Sequence, residues 1–158
     1  MQRIFLLFLA VFLSICQVFA QKIEEVSLSR RLHYKIKMPS STWFIDKYSG
    51  GISSILDRDG KEWIGWRRLE EEKYPESAAG DYRGMPNLVY GGSDSGTGHP
   101  GFDKGMSFKE NSNQIRFKSW DGKWEWQYTF YKDFVEMQLI KGALSERNYW
   151  FLYEGIPG

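Results

Sequence analysis

The chain has 158 residues, with 21 lysines and arginines against 20 aspartates and glutamates, and a formal net charge of +1. No run of basic residues is long enough to attract phosphates strongly, so this balance argues against nucleic acid and anionic membranes as partners. Aromatic residues make up 17% of the chain. Aromatic side chains fill the cores of β-sheet proteins and also stack on sugar rings, so composition leaves both uses open.

The first 20 residues have the pattern of a secretory signal peptide. Arg3 precedes an apolar run, and residues 18–20 (Val-Phe-Ala) are typical of a cleavage site. A membrane anchor is the alternative, but Ser14 and Gln17 interrupt a run that is already shorter than the ~20 residues of a spanning helix. Lipidation at Cys16 is disfavoured because a bulky residue precedes it. We therefore expect cleavage after Ala20 and a secreted or periplasmic protein.

Residues 21–158 form one predicted domain. Removing the first 20 residues removes only Arg3 from the charge count and leaves 20 basic and 20 acidic residues. The one cysteine lies in the signal peptide, so core packing must stabilise the exported domain without disulfides. The usual zinc sites are excluded because the domain offers only His33 and His99 and no thiolate. We expect no metal and no cofactor.

The domain shows short alternating runs separated by turn residues, which is typical of β-strands. In residues 123–131, large aromatic side chains alternate with polar ones, so one face is expected to pack inward. Because no helix separates the strands, the spacing predicts an all-β antiparallel β-sandwich. The predicted strands are 32–38, 42–47, 51–57, 61–66, 105–110, 114–120, 123–131, 133–142 and 148–155.

Three segments between these strands have their own signals. Residues 57–60 (Asp-Arg-Asp-Gly) predict a hairpin turn rather than a calcium loop, because the later calcium ligands are missing. Asp121-Gly122 predicts a second tight turn. Residues 67–74 are interpreted as a charged surface turn rather than a short helix, since no apolar stripe runs through them.

The glycine-rich stretch 82–105 is predicted to be a long loop. Residues 96–101 spell G-x-G-x-x-G, but a proline and a following strand replace the helix that a dinucleotide needs. Long loops in compact domains are often functional, and apolar residues would anchor this one to the sheet. The stretch is therefore interpreted as a polar site, with a structural connector as the alternative. Its candidate polar residues are Asp81, Arg83, Asn87, Asp94 and His99.

Two phrases of the sequence resemble galactose mutarotase-like supersandwich domains. The phrase GGISSILDRDGKEWIGW, residues 50–66, is similar to the early hairpin of that family. In residues 89–108, Gly91-Gly92 and Gly101-Phe102-Asp103-Lys104 are similar to a loop of the aldose epimerases. The resemblance implies a supersandwich with a sugar-binding concave face, of which residues 32–158 would be only the N-terminal half.

The resemblance also implies residue roles, which this sequence matches in part. The family's proton transfer uses a glutamate base and a histidine acid. The histidine before Gly-Gly falls on Tyr90 here, so His99 becomes the candidate acid, and His33 is interpreted as structural. Glu154 does not match the glutamate position, which leaves the epimerase chemistry incomplete in this chain.

Three functions follow from these features. The first is a carbohydrate-active domain in which His99 transfers a proton while Arg83, Asn87 and Asp94 bind hydroxyls, or in which two carboxylates hydrolyse a glycosidic bond. The second is a non-catalytic sugar-binding module, and the third is a structural or protein-interaction sandwich of the cell envelope. The aromatic last strand predicts a partner for its edge, either a missing C-terminal half or another chain. The candidate sugar-stacking side chains are Trp124, Trp126 and Trp150, and the candidate carboxylates are Asp81, Asp94, Asp103 and Glu154.

Overall fold

A computed structural model describes residues 21–28, 30–65, 87–90, 105–120, 122–142, 149–152 and 156–157. Within these ranges every regular element is a β-strand, and all strand pairs are antiparallel. The predicted signal peptide 1–20, the predicted turn 67–74 and most of the glycine-rich stretch lie outside the described residues.

The strands form two four-stranded sheets and two short strand pairs. The first sheet has the order β1-β2-β3-β4 and the second the order β10-β9-β8-β7, while β11 pairs with β6 and β12 pairs with β5. The all-β sandwich predicted from the alternation is thereby confirmed. The strands are β1 Ile23–Leu28, β2 Arg31–Lys37, β3 Ser41–Asp46, β4 Ile52–Asp57, β5 Ile64–Gly65, β6 Asn87–Tyr90, β7 Met106–Lys109, β8 Gln114–Lys118, β9 Glu125–Phe130, β10 Val135–Lys141, β11 Tyr149–Leu152 and β12 Ile156–Pro157.

The two four-stranded sheets share one apolar core. The predicted inward face of residues 123–131 is buried, and Trp126 and Tyr128 are each 1% exposed. From the first sheet, Trp43 meets the ring of Phe130 edge-on with the ring centroids 6.4 Å apart. Alternating apolar residues of both sheets therefore interdigitate, as expected for a sandwich. The buried core consists of Ile23, Tyr34, Ile36, Met38, Ile45, Ile52, Ile64, Ile115, Phe117, Trp124, Trp126, Tyr128 and Phe130.

Two strands lie where the sequence predicts none. Strand β1 pairs along its whole length with β2. It was not predicted because two adjacent acidic residues, Glu24 and Glu25, interrupt the alternation of apolar and polar residues. Strand β6 lies inside the glycine-rich stretch that was predicted to be a loop. Its four residues Asn-Leu-Val-Tyr pair with β11, so three of the apolar residues interpreted as loop anchors, Leu88, Val89 and Tyr90, belong to a strand.

The segment 61–66 is less regular than predicted. Glu62 forms one isolated bridge to Leu56, and only Ile64–Gly65 is a strand. The Glu62 carboxylate accepts the backbone N–H groups of Ile55, Trp63 and Ile64 at 3.0, 3.1 and 2.9 Å. A side chain therefore occupies part of the hydrogen bonding that a strand ladder would use. The turn before it is confirmed, with Gly60 at φ +82°.

The connection between β3 and β4 joins the two sheets. The carbonyl of Gly50 accepts the hydroxyl of Tyr128 at 2.7 Å and the indole N–H of Trp126 at 3.3 Å. The carbonyl of Lys47 accepts the N–H of Ser107 at 2.6 Å, which covers part of the edge strand β7. This connection therefore fixes how the second sheet sits on the first.

Replacing Gly50 by alanine is expected to destabilise the protein by about 2–4 kcal/mol, as the sum of left-handed backbone strain and overpacking. Gly50 has φ +68°, and a Cβ there would overlap the Phe117 ring and lie 2.9 Å from Trp126. The matched control is Gly60→Ala, because Gly60 also has a positive φ but has nothing within 4 Å of a built Cβ. Urea unfolding followed by tryptophan fluorescence measures both, and equal losses would contradict the packing argument.

Candidate functional site

The residues predicted for the glycine-rich site are described only in part. Arg83, Asp94 and His99 lie outside the described residues, as do Asp81, Asp103 and Glu154. Asn87 and Trp150 lie on the paired strands β6 and β11, where Asn87 is opposite Leu152 and Trp150 is opposite Val89. The register therefore places these two candidates two rows apart in one strand pair.

Trp124 and Trp126 are not sugar-stacking platforms, and this prediction is wrong. Their side chains are 2% and 1% exposed, and the Trp126 ring stacks on Phe117 with the centroids 4.0 Å apart. The physical reason is that the aromatic face of residues 124–130 packs against the first sheet in the shared core. The sugar-binding role predicted for these two residues is therefore excluded.

His33 belongs to a buried polar cluster on the first sheet. Its side chain is fully buried, with Nδ1 3.1 Å from the carbonyl of Arg31 and Nε2 2.9 Å from the hydroxyl of Ser53. A carbonyl only accepts, so Nδ1 donates and Nε2 receives the Ser53 hydroxyl in the neutral ring. Both His33 and Ser53 are buried, so this pair does not offer a nucleophile to a substrate. Its geometry accords with the structural role that the sequence indicates.

Asp46 is the charged centre of this cluster. Its carboxylate, which is fully buried, accepts Nε of Arg31 at 2.7 Å and a second guanidinium nitrogen at 3.2 Å. It also accepts the backbone N–H groups of Tyr48 and Ser49 at 2.7 and 3.0 Å. A buried carboxylate with four donors is well compensated, and it orders the start of the β3–β4 connection.

Replacing Asp46 by asparagine is expected to cost about 3–5 kcal/mol, because it leaves the largely buried Arg31 guanidinium without its counter-charge. The comparison variant is Glu25→Gln, which removes the 2.9 Å pair with Lys47 at an exposed carboxylate. That change is expected to cost less than about 1 kcal/mol. Urea unfolding of both variants measures the difference, and a loss at Asp46 no larger than that at Glu25 would refute a stabilising buried pair.

Among the described residues, the exposed aromatic side chains lie mainly at hairpin ends. Trp63 is 61% exposed, and its indole N–H donates to Oδ2 of Asp57 at 3.0 Å. The ammonium of Lys61 lies 5.3 Å from the Trp63 ring centroid. The Glu62 carboxylate accepts backbone N–H groups around Trp63 and so orders the main chain there. The indole is held at its N–H edge by Asp57 and is exposed over most of its surface. The exposed aromatic side chains are Tyr48, Trp63, Phe108, Trp120, Tyr131 and Phe134.

The carboxylate beside Trp63 is held in its ionised form. The Trp63 indole N–H is the largest influence lowering the pKa of Asp57, followed by the backbone N–H of Lys61. The Asp57 Oδ1 atom accepts the N–H groups of Asp59 and Lys61, both at 2.9 Å. An ionised carboxylate beside an open indole accepts hydroxyl hydrogens well but is a poor proton donor. The arrangement therefore suits binding better than acid catalysis.

Trp63 was not predicted as a site residue from the sequence, although the residues around it indicate that its side chain is exposed. The tryptophan lies three residues after a polar hairpin turn. The glutamate and the glycine on either side of it do not favour a regular strand along the whole segment. A large aromatic residue at such a place has little core to enter. Its exposure is therefore a reason to consider ligand contact.

Comparisons with known proteins identify no relative. No family model matches the chain, and no curated protein or solved structure matches it either. Within the described residues, no cluster of three or more histidine, cysteine, aspartate or glutamate side chains could hold a metal ion. The same part of the chain contains no helix long and apolar enough to span a bilayer.

Replacing Trp63 by phenylalanine is expected to raise the pKa of Asp57 toward its ordinary value, since the indole donor is lost. A lowered pKa in the folded state contributes stability at pH values above the pKa of the unfolded chain, and this contribution disappears as the pH falls through the folded value. The stability difference between wild type and Trp63→Phe should therefore shrink on acidification. Carbon NMR of the Asp57 carboxyl measures the pKa, and an unchanged value would contradict the assignment.

Proposed function

We propose that this protein is a secreted or periplasmic carbohydrate-binding β-sandwich. The observation that carries the proposal is the exposed Trp63 indole, which is held at its edge by Asp57. The signal-peptide pattern of residues 1–20 supports export. The sequence resemblance to galactose mutarotase-like domains supports a sugar as the ligand and stays a prediction.

The chemistry of a sugar ring fits the surroundings of Trp63. A pyranose has an apolar C–H face that packs on an aromatic ring, while its rim of hydroxyls needs acceptors and donors. Asp57 supplies acceptor oxygens beside the ring, and the Lys61 ammonium supplies donors. Because the Glu62 carboxylate fixes the backbone, little ordering is required when the ligand binds.

Binding without chemistry is favoured over catalysis by the described residues. At the Trp63 site the pKa of Asp57 is lowered, whereas a general acid needs a raised one. The described histidine, His33, is buried away from solvent. A catalytic role for His99, with Arg83, Asn87, Asp94 and Trp150 binding the sugar, remains a separate prediction about the glycine-rich stretch and its neighbours.

An interaction sandwich of the cell envelope is the second candidate, and one feature favours it. Met106 is 62% exposed on the edge strand β7, and Phe108 on the same strand is also exposed. Exposed apolar side chains on an edge strand are typical of surfaces that receive another polypeptide. This candidate predicts a dimer or a complex in which Met106 is covered, and not a monomer that binds glycans.

Replacing Trp63 by alanine is expected to weaken glycan binding by at least about 10-fold, because an aromatic anchor that the ligand covers contributes about 1.4 kcal/mol or more to binding. The matched control is Trp120→Ala, which removes a tryptophan of similar exposure, 65%, from a turn of the second sheet. Calorimetry with a panel of neutral and acidic polysaccharides measures both. Equal weakening in the two variants, or no glycan bound by the folded wild-type chain, would overturn the proposal.

A further inference from the structure

The first sheet carries a second polar feature, on the face that points away from the core. Strand register places Glu24 of β1 opposite Lys35 of β2, and their neighbours Ile23 and Ile36 point into the core. Because side chains alternate along a strand, Lys22 and Lys37 lie on the same outer face. These four residues, Lys22, Glu24, Lys35 and Lys37, line a depression of about 240 Å³, here called the lysine pocket.

The charges of the lysine pocket do not cancel. Three ammonium groups face one carboxylate, which leaves a net charge of +2. Lys22 pairs with Glu24 at 2.5 Å, and this hydrogen bond is the largest influence that lowers the pKa of Glu24. The charges of Lys35 and Lys37 lower the pKa of Glu24 further. One carboxylate is thus shared among three cations, so the pocket attracts a further negative charge.

The arrangement is unfavourable for the isolated sheet. Continuing the β1–β2 register by one residue sets Lys22 opposite Lys37, and like charges directly across two strands destabilise a sheet. Elsewhere in the described chain, Lys47 pairs with Glu25 and Lys118 pairs with Glu125, so each of these two ammonium groups has a carboxylate of its own. A bound anion would offset the repulsion between Lys22 and Lys37.

The pocket also contains an acceptor, which narrows the class of ligand. A bare anion would gain from the lysines but would be repelled by Glu24. A ligand with an acidic group and hydroxyl groups suits the lysines and Glu24 together. Its acidic group pairs with the ammonium groups, and its hydroxyls donate to the Glu24 carboxylate. The volume is below the ~300–1,000 Å³ of pockets for drug-sized ligands, so it suits one sugar residue.

We propose that the lysine pocket binds the acidic group of an acidic glycan, either a uronate carboxylate or a sulfate ester, through Lys35 and Lys37. This inference rests on the proposed function in taking a glycan as the ligand. The pocket lies between β1 and β2, whereas Trp63 lies in the segment beyond β4, so strand spacing alone separates the two by roughly 17 Å. They are therefore separate subsites, one for a ring face and one for a charge.

The test compares the whole mature chain with Lys35→Gln/Lys37→Gln in calorimetric titrations. The probes are a polyuronate, the same polymer with its carboxylates reduced to alcohols, a sulfated glycan and its desulfated form. The pocket predicts that the double variant binds the charged polymers at least 10-fold more weakly and the uncharged polymers as tightly as wild type. The matched control is Lys118→Gln/Lys132→Gln, which removes the same charge from the second sheet.

The outcomes separate the pocket from the proposed function. If both double variants lose affinity equally, the effect is general charge attraction and the pocket is refuted. If wild type binds charged and uncharged polymers equally well, the pocket is refuted while glycan binding stands. If Trp63→Ala leaves every affinity unchanged but Lys35→Gln/Lys37→Gln lowers those of the charged polymers, the pocket stands and the Trp63 site fails.

The source of the acidic group is identified by NMR titration of the mature chain with sodium glucuronate and with the sodium salt of a sulfated monosaccharide. Saturable shifts at Lys35 and Lys37 with glucuronate alone assign a uronate, and with the sulfated sugar alone a sulfate ester. Absence of shifts with both salts, together with no preference for the charged polymers, overturns the proposal. Thermal unfolding of each variant confirms that the chains compared are folded.

Discussion

The structure depends on one buried carboxylate, that of Asp46. Taking a charge out of water costs several kcal/mol, and here two guanidinium nitrogens and two backbone N–H groups offset that cost. Because two of these donors belong to the residues that follow β3, the carboxylate fixes the direction in which the chain leaves the strand. The connection can then present the Gly50 carbonyl to Trp126 and Tyr128 of the opposite sheet. A polar interaction within the first sheet thus determines how the apolar surfaces of the two sheets meet.

This arrangement leaves the hairpin ends available for function. Strand β4 is held against β3 and by the connection before it, so the turn that follows β4 is placed by a rigid element. The Glu62 carboxylate then replaces several ladder hydrogen bonds, which allows the backbone to depart from the sheet and place Trp63 outside the core. Binding residues on short, well-ordered turns lose little conformational freedom when a ligand arrives.

The sequence predicted local features well and relations between distant residues poorly. The alternation of residues 123–131 and the turn at Gly60 are properties of a few neighbouring side chains, and both are confirmed. The same alternation could not tell whether the tryptophan face of β9 meets water or a second sheet, and so Trp124 and Trp126 were misassigned. The contact between Arg31 and Asp46 joins two strands, and no local sequence pattern predicts it. Strand β1 was missed for a related reason, since Glu25 lies on the same face as Ile23 and is explained only by Lys47, which comes much later in the chain.

Two sets of charged residues on or beside the first sheet differ in what they contribute to the fold. Asp46 and Glu62 have their acceptor oxygens taken by donors of the same chain, so their charges are used in building the scaffold. The lysine pocket places three cations around one carboxylate and contributes no comparable hydrogen bonding to the fold. Repulsion of this kind lowers stability, and sites that bind ligands commonly break the local rules that the rest of a structure obeys. The excess of positive charge on this depressed, hydrophilic face is therefore the feature on which the proposed acidic-glycan site rests.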